Sequence, residues 1–290
     1  MADGDYERGR AREIGAIAAE LKRLAAARPS GDCNGRDARC PGAGGPRLSR
    51  PRVFVLNGWA ASPQAWDLCG FMRRAGPTDA PPAEASAARP RLFSYVEQLD
   101  GEPEKAMEGA GRCVLVGWSM GGSSALRLAA RWPEKIAGLV LIAATPRMME
   151  EKETGWRGMS PRRLEALRYG LVMTRGSGFF GVPEGKPDPY LAGEPTDLER
   201  GLKYLLETDL RAELAPGAQC APGADIHIFQ SEHDGIVRPE NAAWLKSVFP
   251  QASVTMVPGT EHALPIFIPE LIDEAVDSCL RLAAAGQDIA

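Results

Sequence analysis

The stretch Cys113-Val-Leu-Val-Gly117-Trp118-Ser119-Met120-Gly121-Gly-Ser-Ser-Ala-Leu126 decides the fold. Val114, Leu115 and Val116 form a short continuous apolar run, the mark of a strand buried on both faces. Ala125, Leu126, Leu128, Ala129 and Trp132 then recur at helical spacing until Pro133 interrupts the pattern. Between them lies Gly117-Trp-Ser-Met-Gly121, a G-x-S-x-G sequence. A strand before that sequence and a helix after it make it a nucleophile elbow, a sharp turn that lifts the serine hydroxyl clear of the sheet edge. Gly117 and Gly121 leave out the Cβ atoms that would collide where strand and helix cross, and Ser119 must hold a strained backbone.

Outward from the elbow, further apolar runs alternate with helical patterns. Val53-Phe-Val-Leu56 reads as a strand ending at Asn57-Gly58-Trp59, and Gln64 to Arg73 as a helix. Gly76 to Pro90 reads as a surface loop, and Arg91-Leu-Phe-Ser-Tyr-Val96 as a second strand by its alternation. Ile136 to Ala144 follows the elbow helix at βαβ spacing, and Asp225 to Gln230 and Ser253 to Val257 give two more strands. A closing helix spans Pro269 to Ala284. The expectation is an α/β fold of the α/β-hydrolase kind, a mainly parallel sheet covered by helices on both faces. Residues 51–146 and 217–290 make its core, and 147–216, helical and polar with no convincing strand, make a cap over the carboxyl ends of the strands. Ahead of the core, residues 10–27 have the stripe of an amphipathic helix, suited to docking on the main domain or on a partner. Residues 28–50, rich in Pro, Gly and Arg, read as a linker.

Composition excludes several alternatives. At 290 residues and 44% hydrophobic, the chain can bury one full-sized core. A net charge of -4 argues against a global electrostatic footprint for nucleic acid or membrane. The six cysteines (Cys33, Cys40, Cys69, Cys113, Cys220, Cys279) are scattered, with no C-x-x-C pair, which suits reduced thiols and no metal. The start of the chain is charged throughout and lacks a signal-peptide core, and no run of about 20 apolar residues could span a bilayer. A soluble cytoplasmic monomer is the expectation.

A serine hydroxyl needs a base to take its proton and a third group to hold that base in the right tautomer. The chain has three histidines. His227 lies inside an alternating strand and reads as a hydrogen-bonded structural residue. His233 sits one residue before a candidate acid. His262, between the last strand and the last helix, is placed to swing over the elbow and is the expected base. The expected acid is Asp234, which follows a strand and precedes the Gly235 turn, with Glu232 as its near competitor. Oxyanion donors should be the backbone N–H groups of Met120, after the nucleophile, and of Trp59, in the loop after the first strand. The side chains of Trp59 and Trp118 flank Ser119, either as an apolar pocket wall or as core tryptophans.

With these residues in hand, Arg52 to Ala285 resembles the α/β-hydrolase superfamily. Within it the chain is similar to the carboxylesterases that demethylate pimeloyl-[acyl-carrier protein] methyl ester in biotin synthesis. The resemblance rests on Asn57-Gly-Trp59, Gly117-Trp-Ser-Met-Gly-Gly122, Gly201-Leu-Lys-Tyr-Leu-Leu-Glu-Thr-Asp-Leu-Arg211, Asp234-Gly-Ile-Val-Arg-Pro239 and His262-Ala263. It implies methyl-ester hydrolysis with Ser119, Asp234 and His262 as triad, Trp59 and Met120 as oxyanion donors, no metal or cofactor, and acyl carrier protein as partner. One position departs: the family usually carries His before the oxyanion-loop glycine, and here it is Asn57, which can still hydrogen-bond the loop. An acidic carrier calls for a basic surface beside the pocket mouth. Arg147 to Arg175 carries seven basic residues against four acidic, which makes Arg162, Arg163 and Arg168 the docking candidates. A general short-chain esterase or thioesterase using the same triad is the rival activity, and a non-catalytic hydrolase-fold binding protein is the rival class.

Overall fold

A computed structural model describes residues 51–73, 89–174, 194–215, 221, 223–259 and 261–285. The N-terminal helix and linker expected in residues 1–50 lie outside these, as do Cys33, Cys40 and Cys220. The described strands are β1 (Arg52–Leu56), β2 (Arg91–Phe93), β3 (Cys113–Trp118), β4 (Ile136–Ile142), β5 (Asp225–Ser231) and β6 (Ser253–Val257). The helices are α1 (Tyr95–Leu99), α2 (Glu102–Glu108), α3 (Met120–Arg131), α4 (Pro161–Thr174), α5 (Pro195–Glu207), α6 (Glu240–Val248), α7 (Leu264–Phe267) and α8 (Pro269–Ala285).

All six strands run parallel in the order β2-β1-β3-β4-β5-β6. From β1 the chain moves outward to β2, then returns to the other side of β1 as β3 and continues in one direction. The order therefore reverses between β1 and β3, and in an open α/β sheet such a switch point opens a crevice beyond the carboxyl ends of the strands. The loop at Asn57 and the turn at Ser119 leave those two ends side by side. Every residue of β3 and β4 is buried, as strands covered on both faces must be. Phe54, Leu115, Leu139, Leu126 and Phe249 join in one core cluster beneath the sheet, each worth about 1.5–3 kcal/mol of transfer free energy.

Two local expectations are corrected. The strand expected over Arg91 to Val96 ends at Phe93, because Ser94 caps α1 instead of continuing the ladder. Its hydroxyl accepts from Glu97 N at 3.2 Å while the Glu97 carboxylate accepts from Ser94 N at 2.8 Å. The helix expected over Gln64 to Arg73 divides into two 3₁₀ turns, Pro63–Trp66 and Gly70–Arg73. The second is held from a distance by Asp273, which accepts from Gly70 N at 2.8 Å and Phe71 N at 2.9 Å.

Between β4 and β5 the described segments comprise α4, α5 and a folded stretch linked by isolated bridges Arg147↔Asp209, Met149↔Met159 and Glu151↔Trp156. Arg147 and Arg211 both bind Asp209, at 2.5 and 2.7 Å, and both reach Glu151. The two guanidinium groups hold the Asp209 carboxyl far below the usual carboxylate range. Among the described residues, Cys69, Cys113 and Cys279 are buried free thiols, and burial pushes the Cys113 thiol up to about 12. No described helix is long and apolar enough to cross a membrane.

Candidate active site

Ser119 occupies the turn between β3 and α3 with φ 57° and ψ −118°, a backbone few side chains tolerate. Its neighbours hold it there: Ser119 N donates to Ile142 O at 2.9 Å, and Ser123 N to Ser119 O at 3.1 Å. The crossing is tight. A Cβ at Gly121 would sit 2.0 Å from Leu56 O, so only glycine lets the first turn of α3 rest on the end of β1.

His262 stands over this turn. Its Nε2 lies 2.9 Å from Ser119 Oγ and its Nδ1 2.8 Å from Asp234 Oδ2. An ionised aspartate only accepts, which assigns the imidazole proton to Nδ1 and leaves Nε2 to accept from the serine hydroxyl. Asp234 is 2% exposed. Its Oδ1 accepts from Ile236 N at 2.7 Å and Val237 N at 3.1 Å, and Gln230 Nε2 donates to its Oδ2 at 3.3 Å. The structure thus brings Ser119, His262 and Asp234 into one hydrogen-bonded chain. Glu232 and His233 are exposed on the same loop.

Trp118 is fully buried and does not offer a pocket wall. Its indole donates to the backbone carbonyl of His262 at 2.9 Å, with the two rings 5.9 Å apart, so it braces the histidine loop from beneath. Ser231 Oγ donates to the neighbouring Glu261 carbonyl. Neither brace has a local sequence signal, since each partner lies far along the chain.

Trp59 occupies the other side. It packs in an apolar cluster with Tyr95, Met120, Met148, Leu164, Leu198 and Leu202. Its indole donates to Leu198 O at 3.2 Å, and a Cβ at Gly201 would meet the same indole at 2.4 Å. Helix α5 therefore lies directly on Trp59. The backbone amides of Trp59 and Met120 have no protein acceptor among the described residues, and Met120 opens α3, where amides lack intrahelical partners. Such a pair suits an oxyanion at the switch point.

Of the docking candidates, Arg162 and Arg163 are exposed at the start of α4. Arg163 lies over the turn behind Asp234, with Nη2 2.9 Å from where a Gly235 Cβ would be. Arg168 is paired with Glu165 and Glu199, which shares out its charge.

His227 lies elsewhere, bonded to Asp225 through Nε2 and to Ser253 Oγ through Nδ1, each at 2.9 Å. With Cys279, Asp225 and His227 form the metal-ligand type grouping found among the described residues, all ligand atoms within 4.8 Å. Both ring nitrogens are already occupied by protein partners.

Comparison with known proteins places this geometry in context. Residues 40–275 match the model of the alpha/beta hydrolase family. A pimeloyl-[acyl-carrier protein] methyl ester esterase of Nitrosospira multiformis is 32% identical over 188 residues, covering 59% of this chain and 68% of that protein. The protein of the same name from Nitrosomonas europaea is 29% identical over 252 residues, covering 79% and 95%. Among solved structures, an esterase from Exiguobacterium antarcticum superposes with a TM-score of 0.56 at 18% identity, over 80% of this chain and 92% of the other. At that identity the likeness concerns the fold.

Proposed function

The chain belongs to the alpha/beta hydrolase family, and on that premise we propose that it is a serine carboxylesterase that cleaves the methyl ester of a pimeloyl chain carried on acyl carrier protein. The observation that carries the reading is the chain Ser119–His262–Asp234, at 2.9 and 2.8 Å, set on a strained turn at the sheet's switch point. The names of the relatives support the substrate.

In this mechanism His262 Nε2 takes the proton of Ser119 as Oγ bonds to the ester carbonyl carbon. The carbonyl electron pair moves onto oxygen, where the amides of Met120 and Trp59 receive it. Asp234 keeps the imidazolium oriented and balances its charge. Collapse breaks the bond to the methoxy oxygen, which leaves as methanol with the proton from His262. Water then attacks the acyl-serine with His262 as base, releasing the carboxylate and restoring Ser119. In this reading residues 147–216 are the cap, whose described helices α4 and α5 pack apolar residues around Trp59. The acidic carrier docks on Arg162 and Arg163, with Arg168 adding a shared charge. The enzyme works in the cytoplasm as a monomer.

The test is turnover of pimeloyl-[acyl-carrier protein] methyl ester against a free short-chain methyl ester, alongside growth without biotin of a strain lacking its own pimeloyl-ester esterase. Wild type should cleave the carrier-linked ester preferentially and restore growth, and Ser119→Ala should do neither. Equal turnover of both esters with no growth would leave a general esterase and remove the biotin assignment. Reversing the charges of Arg162 and Arg163 should raise KM for the carrier-linked ester only, and unchanged kinetics would remove the docking surface.

A further inference from the structure

The loop that carries Trp59 begins where β1 ends at Leu56. It contains a strained residue: Ala60 has φ 53°, in the left-handed region where a side chain is disfavoured. A short turn, Ala61 N to Gly58 O at 3.2 Å, closes the loop on itself, and the Trp59 indole ties it to α5 through Leu198 O. What ties it to the end of the sheet is Asn57, whose side chain is fully buried.

Asn57 makes four hydrogen bonds in four directions. Its Nδ2 donates to Ala61 O at 3.0 Å, across the strained residue, and its Oδ1 accepts from Trp66 Nε1 at 3.0 Å. Its backbone N donates to Phe93 O at 3.0 Å, and its backbone O accepts from Gln98 Nε2 at 2.9 Å. The amide can take only this orientation, because a carbonyl oxygen accepts and an indole N–H donates. Gln98 Nε2 also reaches Phe93 O and Ser94 O, so the clip is tied to the end of β2 and the start of α1.

We infer that Asn57 is a positioning residue for the reaction: its side-chain amide, held by Trp66, fixes the loop so that the Trp59 amide faces the developing oxyanion. This rests on the esterase reading above. It gives position 57 a requirement, namely a donor toward Ala61 O and an acceptor toward Trp66 on one short, planar group. Leucine matches the volume and supplies neither. Displacement of one donor by about 1 Å is enough to cost up to 10²-fold in rate. The loss should fall on kcat, since the oxyanion exists in the transition state and not in the bound ester.

The experiment compares wild type, Ser119→Ala, Asn57→Leu and Trp66→Phe on a p-nitrophenyl ester. It also measures inhibition by an alkyl trifluoromethyl ketone, which forms a tetrahedral adduct with a reactive serine. Asn57→Leu should lower kcat about 10- to 100-fold with KM within about twofold, and weaken the ketone by the same factor as kcat. Trp66→Phe, which removes the indole donor together with part of the buried ring, should do the same on a scale of about three- to tenfold. Folded variants that keep wild-type kcat, or that lose kcat with the ketone's affinity unchanged, would overturn the inference and leave the esterase reading standing. A wild type whose turnover survives Ser119→Ala would overturn both. If Asn57→Leu does not fold, Trp66→Phe decides by the same two readouts.

Discussion

Two histidines in this molecule each stand between a serine and an aspartate at hydrogen-bond distance. At one end of the sheet His262 links Ser119 and Asp234, at 2.9 and 2.8 Å; at the other His227 links Ser253 and Asp225, both at 2.9 Å. By distances alone they are equivalent, and the difference lies in everything around them. Ser119 sits on a left-handed turn beyond the carboxyl end of β3, with the start of α3 at its back. Ser253 begins the edge strand β6, exposed, in ordinary register opposite His227, and its hydroxyl also leans on Ile226 O at 3.4 Å. Asp234 is buried and takes two backbone amides on its second oxygen, whereas Asp225 opens β5 half-buried. All strands are parallel, so the second relay lies at their amino ends, where α/β sheets do not gather ligands. A Ser–His–Asp relay becomes a reactive site only where a strained turn, oriented amides and a crevice coincide with it.

The sharpest break of this comparison is to remove each serine. Ser119→Ala should lower kcat at least about 10³-fold, with Ser253→Ala unchanged. A fluorophosphonate probe should label wild type at Ser119 and leave Ser253 bare, and labelling of Ser253 would dissolve the distinction. The aspartates come next. Asp234→Asn removes the partner that fixes the His262 tautomer and should cost about 10³- to 10⁴-fold in kcat, while Asp225→Asn should stay within about twofold. A smaller effect tests the brace under His262. Trp118→Phe keeps the ring in the core but loses the bond to the His262 carbonyl, and should lower kcat about three- to tenfold in steady-state kinetics.

The part of this contrast that was legible in the sequence is the part carried by local pattern. The elbow could be read because strand, Gly117-x-Ser119-x-Gly121 and helix are contiguous, and each announces itself by period. Asp234 could be ranked over Glu232 by the Gly235 turn that follows it, and His262 over His227 because it lies past the last strand and not inside one. What could not be read depends on partners far along the chain. Trp118 looks like a candidate pocket wall until its indole meets a carbonyl in the His262 loop, and Arg168 looks like a free cation until Glu199 arrives on α5. The 3₁₀ turn at Gly70 is dictated by Asp273 on α8. Missing the end of β2 is a different failure. Ser94-x-x-Glu97 is a capping-box signal that starts inside the stretch read as alternating from Arg91 to Val96.

The smallest expected effect concerns the second relay itself, and it decides what that relay is for. His227 bridges Asp225 and Ser253, the opening residues of β5 and β6, and Ser253 is its direct register partner. The imidazole therefore ties an edge strand to its neighbour at the end where the sheet frays. Glutamine cannot span both partners, so His227→Gln should lower unfolding free energy by about 0.5–1.5 kcal/mol in urea denaturation, the worth of a partly exposed hydrogen bond or two. It should leave kcat and KM within about twofold, because no described contact links His227 to the Ser119 turn. A variant that lost activity while keeping its stability would reverse the assignment, giving the relay at the amino ends a chemical role and leaving geometry around the serine insufficient to tell the two apart.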